Sequence, residues 1–183
     1  MSEVTEPVVR PAPAKFVSPR TVALYGVLTA LTAAITYASY TPFSPTRGYF
    51  NLGESMVFFS ALTFGWSAGA ICGGIGSAAA DILLGSGIYA PITLMAKGAE
   101  GFVAGIIGKR DTSKPVLIAV AIGTGGACMI TGYFLYELFI LDVGLGKALA
   151  EVPINVGQVV IGGTIGALLS YYVKRSYPKV AGA

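Results

Sequence analysis

After a polar opening the chain alternates long uncharged stretches with short polar breaks. The apolar stretches run over 21–40, 50–64, 67–84, 91–108, 115–141 and 153–173. Crossing the hydrocarbon layer of a bilayer takes about 20 apolar residues per helix. Only helices and closed barrels can cross it, because unpaired backbone groups are costly in lipid. Stretches this long and this continuously apolar predict helices. The expectation is an all-α integral membrane protein, a bundle of six transmembrane helices.

The second and third stretches are the hardest to separate, since 55–80 carries no charge and only Gly65-Trp66-Ser67 suggests a turn. The basic residues decide the matter. Three lie near the N-terminus (Arg10, Lys15, Arg20), three between the fourth and fifth stretches (Lys109, Arg110, Lys114) and three at the C-terminus (Lys174, Arg175, Lys179). The positive-inside rule places all nine in the cytoplasm. An even number of crossings must then separate the tail from Lys109, so a new helix opens at Ser67. Both termini are expected inside, with outward connections at 41–49, 85–90 and 142–152; Arg47 and Lys147 fall in these, and Lys97 within a span. Residues 1–20 lack the short apolar core and cleavage pattern of a signal peptide and read as a disordered cytoplasmic tail. Residues 21–174 form the membrane domain and 175–183 a short basic tail.

Composition agrees with this plan and narrows the chemistry. The 183 residues are 54% hydrophobic and 11% charged, against about a quarter charged in a soluble domain. No separate soluble catalytic domain fits. With no His in the chain, imidazole bases and His metal ligands are excluded. Cys72 and Cys128 are far apart within apolar stretches and read as small packing residues, so neither metal nor cofactor is expected. The glycine run Cys72-Gly73-Gly74-Ile75-Gly76 only partly echoes a dinucleotide-binding turn, and no strand precedes it. Gly108-Lys109 and Gly146-Lys147 lack the Ser or Thr of a phosphate-binding loop. The chain has no ATP site of that kind.

Gly26, Ala30, Ala34 and Ala38 recur every fourth residue along one face of the first helix, where another backbone can approach closely. Internal packing and docking to a membrane partner both fit that face. A second row, Gly65, Gly69, Gly73 and Ser77 with Asp81 next in step, is read as internal packing. Ionisable groups in or beside the spans are Glu54, Asp81, Lys97, Glu100 and Glu137. Such groups are costly in lipid and tend to face a cavity or a partner. Lys97 and Glu100 are three apart and can neutralise each other, leaving a structural pair and a ligand role both open. Glu54 and Asp81 are expected at the solvated outer boundary. Aromatic residues gather at the outer ends: Tyr40, Phe43, Tyr49, Phe50, Tyr89, Tyr133 and Tyr136. An interfacial belt accounts for them. Their coincidence with Asn51, Asn155 and Gln158 also suits a pocket that stacks a flat ring and hydrogen-bonds its edge.

The ordered motifs resemble a known family. They are Gly48-Tyr49-Phe50-Asn51-Leu52-Gly53-Glu54, then Phe64-Gly65 through Ala68-Gly69-Ala70 into Gly73-Gly74-Ile75-Gly76-Ser77-Ala78 and Ala80-Asp81. Ala90-Pro91, Thr93-Leu94 and Ala96-Lys97-Gly98 follow, and Pro153, Asn155 and Gln158 come late. Together with the Ala-rich first span they look like the substrate-binding S component of an energy-coupling factor (ECF) vitamin transporter.

The resemblance implies capture of a small water-soluble vitamin or precursor, riboflavin-like or pyrimidine- or pyridoxine-like, from outside the cell. The partners it implies are a transmembrane coupling subunit and two cytoplasmic ATPases, within the bilayer and without nucleic acid. Ala30, Ala34 and Ala38 would dock on the coupling subunit. The loop bearing Gly48, Tyr49, Phe50, Asn51 and Leu52 would cover the ligand, and Lys97, Tyr133, Glu137, Asn155 and Gln158 would line its pocket. Two other readings remain at this point: an intramembrane enzyme using Asp81, Lys97 and Glu100 as acid and base groups, and a membrane scaffold.

Overall fold

A computed structural model describes residues 18–42, 48–109 and 114–178. Within them the chain forms six helices and one short hairpin: α1 (Pro19–Ala38), β1 (Thr41–Pro42), β2 (Tyr49–Phe50), α2 (Glu54–Phe64), α3 (Trp66–Leu83), α4 (Ala90–Gly108), α5 (Pro115–Phe139) and α6 (Leu145–Ser176). The all-α, six-helix architecture is as expected. Most of the 1–20 tail, Phe43, Arg47, Arg110 and Lys179 lie outside the described residues.

Local sequence sets most of the helix ends. Ser18 caps α1 by accepting a hydrogen bond from the Thr21 N–H at 3.2 Å, with Pro19 in the first turn. Gly65 separates α2 from α3 with φ +100°, a region open to glycine and strained for other residues. The division anticipated at Gly65-Trp66-Ser67 is therefore where one helix stops and the next begins.

Two helix starts differ from the sequence pattern. Helix α2 starts at Glu54 and not at Phe50, because Tyr49 and Phe50 pair antiparallel with Pro42 and Thr41. Helix α6 starts at Leu145, so 145–152 is helix and not outer loop, and Pro153 sits inside it. Lys147 and Glu151 interrupt the apolar run there, and a proline removes one helical hydrogen bond, which together disguise a continuous helix as a loop. At its other end α6 continues through Ser176, two residues beyond the expected limit.

Helices α1, α4, α5 and α6 are long and apolar enough to cross a membrane. The eleven residues of α2 rise only about 16 Å, roughly half the hydrocarbon thickness. This helix is the hub of the bundle, touching α1, α3, α4 and α6, while α3 lies between α1 and α4 and α5 between α4 and α6. All of its residues but Phe59 are buried.

The outside is greasy: Val22, Leu31, Ile71, Met95, Val120, Val160 and Leu168 are all exposed. The inside holds Glu54 at 1%, Asp81 at 2% and Lys97 at 3% exposure. Apolar side chains outward and charges inward are the arrangement that lipid demands.

The second small-residue row is internal, as read. Gly69 of α3 meets Gly101 of α4 backbone to backbone, and a Cβ on either would collide with the other. Gly73 packs on Val57, and Ser77 and Asp81 are buried. Cys72 is buried, but Cys128 is exposed on the outer face of α5, which corrects its reading as a packing residue.

Gly101→Val should therefore force α3 and α4 apart, with an expected loss of about 1–3 kcal/mol. Gly123→Ala, where nothing lies within 4 Å, should be neutral or slightly stabilising. Thermal unfolding of both variants in detergent checks this, and equal melting points would contradict the contact.

Candidate functional site

The hairpin after α1 folds over one end of the bundle. Its return strand β2 brings Tyr49 inward, and Asn51 follows at the entry to α2. The Asn51 side chain accepts from the Gly53 N–H at 2.9 Å, and the Asn51 backbone N–H donates to Gln158 Oε1 at 3.3 Å. The Leu52 N–H donates to Ser39 Oγ at 2.8 Å, tying this segment to the end of α1. On the far side, Gly48 packs against the Glu151 carboxylate of α6.

Beneath the hairpin lies a cavity of about 470 Å³, counted with its open mouth. Tyr49, Asn51, Tyr89, Lys97, Tyr133, Glu137, Asn155 and Gln158 line it. Phe50 does not; it stands beside Tyr49 on the strand and is half-buried. Five of the six helices contribute, since Thr36 comes from α1, Ser77 and Asp81 from α3, Thr93 from α4, Tyr133 and Glu137 from α5 and Glu151 from α6. Of these, Thr36 and Glu151 went unnoticed in the sequence, while Ser77 was read only as packing and Thr93 only as part of a family motif. Thr93 lies one helical turn before Lys97 and shares its face, a signal that was available. Glu151 was hidden in the presumed loop.

The cavity rests on a buried ion network. Lys97 Nζ donates to Glu54 Oε2 and, at 3.3 Å, to Glu100 Oε2. Gln158 Nε2 reaches the same Glu54 oxygen at 3.5 Å. This corrects the placement of Glu54 at a solvated boundary: it is sealed inside and paired across helices. Asp81 is likewise buried and not solvated. Tyr49 donates its hydroxyl to Asp81 Oδ1 at 2.5 Å. Burial, and next the Asp81 carboxylate, raise the Tyr49 phenol above its ordinary pKa, so it stays protonated and keeps donating.

The aromatic residues divide into two sets. Tyr133 donates to Thr93 Oγ1 at 2.8 Å, and Tyr89 to Glu137 Oε1 at 3.4 Å, both within the cavity wall. Tyr136 points to the Ile88 carbonyl at 2.6 Å, while Tyr40 is exposed and its ring lies 4.8 Å from that of Tyr49. Neither Tyr40 nor Tyr136 lines the cavity; their rings lie against those of Tyr49 and Tyr89, which do. Among the described residues no cluster of Cys, Asp or Glu is arranged to hold a metal ion.

The small-residue face of α1 points the other way. Gly26, Ala30, Ala34 and Ala38 are all exposed, and α1 instead buries Leu28, Thr32 and Thr36 against its neighbours. Packing among the described residues therefore does not use that row.

A polar, ring-lined cavity within a bundle of apolar helices defines a membrane protein built to hold a small molecule. Comparison with known proteins gives the family. The model of the ECF-type riboflavin transporter S component matches residues 16–175, and the chain belongs to that family. An uncharacterized protein of Pyrococcus woesei is 36% identical over 138 residues, covering 73% of this chain and 88% of that protein. The thiamine precursor transporter HmpT of Lactococcus lactis subsp. cremoris (strain MG1363) is 26% identical over 120 residues. That match covers 66% of each chain, so the chain spans just under two thirds of that transporter. The protein is thus a multi-pass membrane component of a vitamin transporter and not an enzyme. Asp81, Lys97 and Glu100 are not its acid and base catalysts.

Removing the lysine from the network should be severe. Lys97→Met leaves Glu54 and Glu100 buried without their cation, an expected cost of about 3–5 kcal/mol. The triple variant Glu54→Gln, Lys97→Met, Glu100→Gln should recover most of that loss. Unfolding in detergent reads both, and a Lys97→Met protein as stable as the native one would refute the pairing.

Proposed function

We propose that the chain captures a small, water-soluble, ring-containing vitamin or vitamin precursor in the cavity under the hairpin, with both termini in the cytoplasm and the cavity opening outward. The observation that carries this reading is the cavity itself: tyrosine rings, side-chain amides and carboxylates converge there from five helices and the hairpin. Rings offer stacking faces, and Asn51, Asn155 and Gln158 both donate and accept hydrogen bonds. Riboflavin-like and pyrimidine- or pyridoxine-like compounds all fit this description. The family's name and that of the Lactococcus lactis relative support the same range.

Uptake would then require a transmembrane coupling subunit and two ATPases, since the chain has no phosphate-binding loop of its own. The exposed Gly26, Ala30, Ala34 and Ala38 row suits close docking of a partner helix. Orientation rests on Lys109, Lys114, Lys174 and Arg175, which the positive-inside rule keeps in the cytoplasm. Labelling of a cysteine introduced at Lys114, from outside intact cells, would overturn it.

Native mass spectrometry of the purified chain tests the reading directly, with a bound vitamin-sized molecule as the expected result. Asn155→Ala or Gln158→Ala should weaken binding of that molecule by about 1–3 kcal/mol. Ala34→Trp should leave binding intact and abolish uptake by cells. A chain that carries no small molecule and binds no vitamin saturably would sink the proposal.

A further inference from the structure

We propose that the cavity selects a ring that carries positive charge or a protonatable amine, in preference to a neutral ring system such as a flavin. This rests on the capture reading above and narrows it to one class of ligand.

The first observation is the charge around the lysine of the cavity wall. Among the described lining residues the one base is Lys97. That base is already committed. Its ammonium sits between Glu54 and Glu100, which outnumber it two to one. Lys97 therefore has little charge left with which to attract an anionic ligand.

The second observation is independent of the count. Asp81 is 2% exposed; Tyr49 occupies its Oδ1, and its Oδ2 has no hydrogen-bond partner among the described residues. Thr36 Oγ1, also buried in the cavity wall, is unpartnered as well. An ionised carboxylate only accepts hydrogen bonds. Left bare at membrane depth it is costly, and an N–H donor with positive charge is the group that relieves it best, because charge-assisted hydrogen bonds are the strong ones. The carbonyl edge of a neutral ring would instead set acceptor against acceptor.

The third observation concerns the faces of the site. Tyr49, Tyr89 and Tyr133 surround the same space, and tyrosine rings attract cations through their π faces. Stacking alone would suit any flat ring. Combined with an open carboxylate oxygen, it favours a cationic one.

Isothermal titration of the purified full-length chain in detergent with pyridoxamine, thiamine, riboflavin and pantothenate provides the test. The series runs from cations through a neutral ring to an anion. Pyridoxamine or thiamine should bind about tenfold or more tighter than riboflavin, and pantothenate should not bind. Asp81→Asn should lower the affinity of the cation about tenfold, with little change for any neutral ligand.

Tightest binding by riboflavin would overturn the charge selection and leave vitamin capture standing. So would an Asp81→Asn chain, folded by its melting curve, that holds the cation as tightly as the native chain. If none of the four binds, the molecule found by native mass spectrometry decides: a cation or amine supports the inference, and a neutral or anionic molecule overturns it. No binding and no retained molecule would defeat the capture reading itself.

Discussion

Lys97 reaches from the middle of α4 to Glu54 at the first turn of α2, and to Glu100 one turn along its own helix. Ion pairs buried this deeply are poor contributors to stability, because both charges must leave water. Once built, however, they are hard to break. Glu54 lies where α2 leaves the hairpin segment, and Gly162 of α6 packs directly on its side chain. One ion network therefore joins α2 to α4 while α6 closes over it. It forms the floor on which the cavity stands.

The remainder of the bundle can be understood as what keeps that floor dry and in place. α3 and α4 approach so closely at Gly69 and Gly101 that no side chain separates them. Gly166 brings α6 against Ser55 and Phe58 of α2 in the same manner. Between helices in lipid, apolar burial supplies no net drive, and close packing with satisfied polar groups takes its place. A central helix as short as α2 fits that logic. It need not span the bilayer, because the longer helices around it cover its buried surface, and its N-terminal end is left free to meet the cavity.

The sequence conveyed the helical bundle well because lipid imposes a strong and simple pattern. Runs without charge, the turn at Gly65 and the polar breaks were all readable. Where side-chain identity offset that pattern, reading failed. Lys147, Glu151 and Pro153 concealed the first two turns of α6, and with them a carboxylate of the cavity wall. The hairpin was invisible because two-residue strands leave no alternation to detect. Most of the cavity lining was legible from the coincidence of amides, tyrosines and charges near helix ends. Phe50 was not separable from Tyr49, since adjacent strand residues face opposite sides and nothing in the order of residues said which side was inward. Glu54 and Asp81 were misplaced in depth for a related reason: the sequence gives the distance of a charge from the end of an apolar run, but not the layer of protein folded over it.

The central claim is that the space beneath the hairpin, and not any outer face of the bundle, is where the cargo resides. A structure determined by cryo-electron microscopy with the co-purifying molecule retained examines this most directly. Density for a ring is expected between Tyr49, Asp81, Tyr133 and Gln158, with the 48–51 segment closed over it. A filled site elsewhere, on the exposed face of α1 for example, with this space empty or occupied only by water, would contradict the account.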